Sequence, residues 1–201
     1  QGVSSAASDV YKRQTRFVAA TIKEIGVSLA LTLLAVVVVV SLFLQSWRAT
    51  LIVVLAIPVS LIGTFAVLYL LGYSANTLSL FAIILALTMV VDDAIVVVEA
   101  VQARFDVGYK SSYMASIDAM KGISNAVITS SLVFMAVFIP VSFMGGTSGT
   151  FYTQFGLTMA VAVGISAINA LTLSPALCAL LLKPYINEDG TEKNNFASRF
   201  R

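Results

Sequence analysis

The sequence predicts an all-α integral membrane protein, a bundle of five transmembrane helices. Three observations lead there. Of its 201 residues, 59% are hydrophobic and only 11% charged, against roughly 25% charged in a soluble domain, so the polar surface needed to dissolve is missing. The apolar residues gather into five runs, each near the roughly 20 residues that a helix needs to cross a bilayer. Those runs lack the alternation of a membrane strand, and lipid admits only helices or closed barrels.

The runs cover 27–44, 51–71, 78–98, 126–143 and 155–182. The first contains Val36–Val40, "VVVVV", which is strand-like locally but sits in a stretch far too long for a buried strand. Pro58 in the second run and Pro175 in the fifth predict kinks, and Pro140 lies near the end of the fourth. Polar breaks at 45–50, 72–77, 102–125 and 144–154 set successive helices antiparallel and adjacent. The glycine-rich "MGGTSG" of Met144–Gly149 lacks the Lys and the following Ser/Thr of a nucleotide loop, and reads as a turn. Cys178 is the single cysteine, set in an apolar run, so it reads as a small core residue and no disulfide framework is possible. Histidine is absent, which removes the usual metal ligand and the usual proton carrier near neutral pH. No metal site and no cofactor are expected.

Orientation follows from the basic residues. Arg48 lies in the first break and Arg104, Lys110 and Lys121 in the third, while the second and fourth breaks carry neither Lys nor Arg. The positive-inside rule therefore places the first and third breaks in the cytoplasm, with a cytoplasmic tail over 185–201. Lys12, Arg13, Arg16 and Lys23 conflict with this, since they precede the first helix on the outer side. Residues 1–14, "QGVSSAASDVYKRQ", are polar and fit nothing downstream, so they read as foreign or misassembled sequence. Residues 15–26 form a lead-in to the bundle of 27–184, and the whole reads as a fragment of a larger membrane protein.

The candidate chemistry lies in "MVVDDAIVVVE", Met89–Glu99. An ionised aspartate at the bilayer centre costs about 2.5–3.5 kcal/mol on insertion scales. Asp92 and Asp93 stand about two turns before Glu99, roughly 10 Å inside the boundary at 1.5 Å per residue, too deep for short side chains to reach water. Adjacent helix positions differ by about 100°, so the two carboxylates share an edge of the helix rather than one point; both can face a bundle interior, and neither can easily face lipid. Two acids close together in low dielectric oppose each other's ionisation and titrate in coupled steps, which makes a proton-binding site. A structural pair satisfied by a lysine or by a neighbouring backbone is the alternative, and a hard-cation site is a weaker one. Glu99, at a helix end beside a basic loop, reads as a solvated or Arg-paired acid. Asn169 reads as an interhelical hydrogen-bonding residue; Asn76 has no spacing that singles it out.

Several stretches together resemble one family. "FLQSWRATLIVVLAIPVSLIGTF", "VVDDAIVVVE" and "FMGGTSGTFYTQFGLTMAVAVGISAINALTLSPALCALLLKP", in this order, resemble a resistance-nodulation-division efflux pump of the acriflavine-resistance type. The resemblance covers Thr15 to Pro184 and corresponds to transmembrane helices two to six of the family's first half. It implies a larger twelve-helix transporter in a bacterial inner membrane, a homotrimer with large periplasmic domains. It implies work with a periplasmic adaptor and an outer-membrane channel, exchanging protons for drugs and other amphiphilic small molecules. The energy source would be the proton-motive force. The resemblance places the proton relay on Asp92 and Asp93, with its lysine on a later helix. Two departures, Thr88 where glycine is frequent and Ala100 where asparagine commonly follows the glutamate, leave the subfamily open.

A secondary transporter, not an enzyme, is therefore expected. An intramembrane aspartyl protease also needs two membrane acids, but on separate helices and with a Gly-x-Gly-Asp motif that this chain lacks. A structural subunit with an inert acid pair is a third class. Within the family, metal-ion exporters and protein-translocation relatives share these features.

Overall fold

A computed structural model of the chain describes residues 23, 26–28, 30–44, 46–73, 77–146 and 148–184. The expected polar segment at 1–14, nearly all of the lead-in, Asn76 and the 185–201 tail lie outside them. Five helical spans are long and apolar enough to cross a membrane. The protein is an all-α integral membrane chain with the five spans expected. The chain divides into two compact units, residues 1–35 and 36–201. The first unit's described residues are Lys23 and the opening part of helix α1, Gly26–Leu44.

The second unit holds the rest of α1, where Val40 and Leu44 are buried, and five further helices. These are α2 Trp47–Leu70, α3 Thr77–Asp106, α4 Ser112–Val141, α5 Gly149–Leu171 and α6 Leu173–Leu181. The fifth span is thus two helices. Pro175 has no N–H to donate and its ring crowds the carbonyl of Leu171, four residues earlier. The helix gives way at Thr172, whose N–H and hydroxyl both turn back to the Ile168 carbonyl, at 3.0 and 2.6 Å. Pro58 has a milder outcome, for α2 continues through it as one helix.

The polar break expected over 102–125 is mostly helix. Polar composition there marks where the chain leaves the apolar layer, not where its helices stop. Helix α3 runs on to Asp106 and α4 begins at Ser112, leaving a short turn. Gly108, at φ 106°, supplies that turn. Its N–H donates to the Phe105 carbonyl and the next N–H, of Tyr109, donates to Arg104, which closes the end of α3. The extended Ser111 starts α4, its side chain accepting from the Met114 N–H at 3.5 Å.

Helix α5 is the hub. Ala82 and Ala86 of α3 pack with Met159 and Ala162 of α5, with Phe138 of α4 and Phe155 closing the cluster. Phe138 and Phe155 meet edge to face at 6.3 Å. Small residues dominate these contacts because helices in lipid gain stability by approaching closely, not by leaving water. Gly156 is the extreme case: a Cβ there would stand 2.8 Å from the Phe138 carbonyl oxygen and 2.7 Å from Ser142 Oγ. Several hydroxyls bond their own helix backbone, as with Thr64 donating to the Ser60 carbonyl and Ser131 to Val127, both at 2.8 Å.

Candidate functional site

Asp92 falls at the midpoint of the Leu78–Asp106 span. The helix carries the two carboxylates on different faces. Asp93 is half-buried and turned toward α5, whereas Asp92 is exposed among the described residues. The sequence allows both to face an interior, and the 100° step between neighbours is enough to separate them. Asp92 belongs to an exposed stripe of α3 formed by Phe81, Leu85, Thr88, Asp92, Val96 and Glu99, spaced three and four residues apart.

Asp93 has a neutral partner. The Ser166 hydroxyl of α5 donates to Asp93 Oδ2 at 2.5 Å. One turn along the same face of α5, Asn169 Nδ2 donates to Ser60 Oγ of α2 at 2.6 Å. Asn169 therefore makes the interhelical bond expected of it. Ser60 and Ser166 are 2% and 1% exposed, so both bonds lie in a dry layer. Neither serine stood out in the sequence, where hydroxyls are scattered through every span; only the approach of the helices singles these two out.

The register between helices is consistent. Ala86 packs by Met159 and Asp93 bonds Ser166, so α3 and α5 advance in the same direction. Against α2 the order reverses, with Ser60 beside Asn169 and Gly63 beside Ile165. A cavity of about 10 Å³, room for a single water, lies where the three meet, lined in part by Ser60, Thr64, Val90 and Ala162. It has no room for an amphiphilic substrate.

A second polar group gathers at the Arg104 end of the bundle. Arg104 Nε pairs with Asp118 Oδ2 at 3.3 Å, and the Tyr109 hydroxyl donates to the same oxygen at 3.0 Å. That bond holds the Tyr109 phenol above its ordinary value; slight desolvation and the Asp118 charge add to it, and Arg104 opposes. Arg48 Nη1 donates to the Leu181 carbonyl at 3.2 Å and the Ser112 hydroxyl to Leu182 at 2.7 Å. These donors satisfy carbonyls that α6 leaves open at its C-terminus. Glu99 is exposed on α3. Cys178 is fully buried and free, the small core residue expected.

Known proteins resemble this chain over most of its length. The model of the AcrB/AcrD/AcrF family matches residues 4–201. The multidrug export protein AcrF of Escherichia coli K12 is 44% identical over 186 residues, 92% of this chain and 18% of AcrF. The multidrug resistance protein MdtC of Pectobacterium atrosepticum is 44% identical over 175 residues, 87% of this chain and 17% of its own length. MdtC of Salmonella newport is 45% identical over 164 residues, 82% and 16% respectively. The chain thus spans less than a fifth of the curated relatives it matches.

Proposed function

Because the chain belongs to the AcrB/AcrD/AcrF family of resistance-nodulation-division efflux proteins, we propose that it is part of a proton-driven multidrug efflux transporter, with Asp92 and Asp93 as its proton carriers. One observation carries this: two carboxylates at mid-span with, among the described residues, no cation near them. Neither 51–98 nor 126–182 contains a Lys or Arg. Taking up a proton removes the expense of holding a carboxylate's charge in low dielectric, so such a pair loads and releases protons as its surroundings change.

The exposed position of Asp92 supports the same proposal. A stripe with Thr88, Asp92 and Glu99 is unsuited to lipid, so further helices of a larger protein cover it, and a base from them ionises Asp92 when it approaches. The substrates are amphiphilic small molecules bound outside these spans. The whole protein is a homotrimer of the bacterial inner membrane, joined to a periplasmic adaptor and an outer-membrane channel. Arg48 and the Arg104–Lys121 segment face the cytoplasm, and Ser148 faces the opposite side.

Export of a cationic dye by the full-length transporter in inverted vesicles, driven by an imposed pH gradient, tests the carriers. Asp92→Asn and Asp93→Asn are each expected to abolish export without loss of protein from the membrane. Proton-coupled export surviving in either variant would remove that carboxylate from the relay. Orientation has its own test. With Cys178 replaced, a cysteine at Ser148 should react with an impermeant thiol reagent in intact cells and one at Ser112 should not; the reverse pattern overturns the topology.

A further inference from the structure

Ser166 bonds Asp93, and the packing around it holds that pairing. It is 1% exposed on α5, and α5 is fixed to α2 on both sides of it. Asn169 bonds Ser60, and Gly63 lies so close to Ile165 that a Cβ there would stand 2.9 Å from its Cγ2. Little rotation of α5 is left that would carry the hydroxyl elsewhere.

We propose that Ser166 is a positioning residue for proton exchange at Asp93. Its hydroxyl ties α5 to the ionised carboxylate, and the tie weakens when that carboxylate takes up its proton. This rests on Asp93 being a proton carrier, as set out above. A hydrogen bond to an ionised acceptor is about twice as strong as one between neutral groups, so proton uptake loosens α3 from α5 at mid-span. In this exchange the arriving proton forms an O–H bond on the Asp93 carboxylate and later leaves by breaking the same bond. Ser166 keeps its own proton throughout.

No charged group of the packed helices displaces Ser166 from this role. Helices α5 and α6 contain no Asp, Glu, Lys or Arg, α2 has only Arg48 in its first turn, and α4 has Asp118 and Lys121 near its start. On α3, Asp92 is adjacent, Glu99 lies about two turns on, and Arg104 and Asp106 are at the far end.

Infrared difference spectra of the full-length transporter, taken as it takes up protons, test the assignment. The carboxyl band missing from Asp93→Asn belongs to Asp93. Ser166→Ala should shift that band, leave the Asp92 band in place, and lower proton-driven export about tenfold, as loss of a bond to a charged group implies. Ser166→Thr keeps a hydroxyl and should restore both band and export. Where the alanine variant fails to assemble, Ser166→Cys, similar in shape but a weak donor, should shift the Asp93 band likewise. An Asp93 band unmoved in an assembled Ala or Cys variant overturns the proposal. If Asp93→Asn still exports, the proton-carrier reading fails with it. If Asp93→Asn is inactive while Ser166→Ala matches the parent, only the role of Ser166 falls.

Discussion

The middle of α5 and the Arg104 end of the bundle solve one problem, holding polar groups on apolar helices, in opposite ways. At mid-span the partners are short and neutral apart from a single acid: Ser60, Asn169 and Ser166, with Asp93. At the Arg104 end the partners are long and charged, and the ion pair is about a third exposed on each side, 37% and 31%. The difference follows depth. In a dry layer a full ion pair is expensive to desolvate, so small hydroxyls and amides serve better. Near water the ion pair is cheap to form and correspondingly weak. Polar contacts at mid-span are therefore short-range and mostly neutral, whereas those at the rim are ionic or close helix ends.

Substitutions should separate the two regions. The largest effect is expected at Gly156→Val, which drives a side chain into the Phe138 carbonyl oxygen 2.8 Å from the first added atom. Backbone cannot yield as a flexible side chain does, so about 1–3 kcal/mol of bundle stability should be lost. Thermal unfolding in detergent measures this; an unchanged midpoint would mean that α4 and α5 do not approach so closely. Asn169→Ala should come next, at about 0.6–1.7 kcal/mol, the range for interhelical bonds in membranes. That loss should be indifferent to salt, since no ion pair is involved.

Arg104→Ala should cost less, about 0.2–1 kcal/mol, and the loss should shrink in high salt. A larger penalty there than at Asn169 would invert the contrast between rim and middle. The smallest effect is a titration. Tyr109 should ionise above the ordinary phenol value of 10.0, because its proton is shared with Asp118. The folded state favours the protonated phenol, so the bond's contribution is fully present below about pH 10 and is lost as pH rises through the raised value. Ultraviolet difference titration of the parent against Tyr109→Phe isolates this phenol, and Asp118→Asn should bring its midpoint down.

The five spans and the acid pair were legible because each breaks a strong rule of composition. Long runs without charge need lipid, and carboxylates inside them need a reason. The interruption near Pro175 was legible too, through the missing N–H. The split between Asp92 and Asp93 was not, since it depends on how α3 is rotated against α5. Ser60 and Ser166 were hidden for a related cause. A hydroxyl in a membrane helix usually bonds its own backbone, as Thr64 does, and only a neighbouring helix at the right height turns one outward. The helical ends over 102–125 were missed because polarity reports the water boundary, while hydrogen bonding carries the helix past it.

The interruption at Thr172 has a mechanical consequence. A continuous α5 would move as one rod, so a tilt felt at Ser166 would reach the far end undiminished. With the span broken at Thr172, α6 is pinned by Arg48 and Ser112 at Leu181 and Leu182 independently of the contacts that hold α5. The break divides one span into two separately anchored pieces, α6 held at its C-terminal end and α5 held along its length by its neighbours.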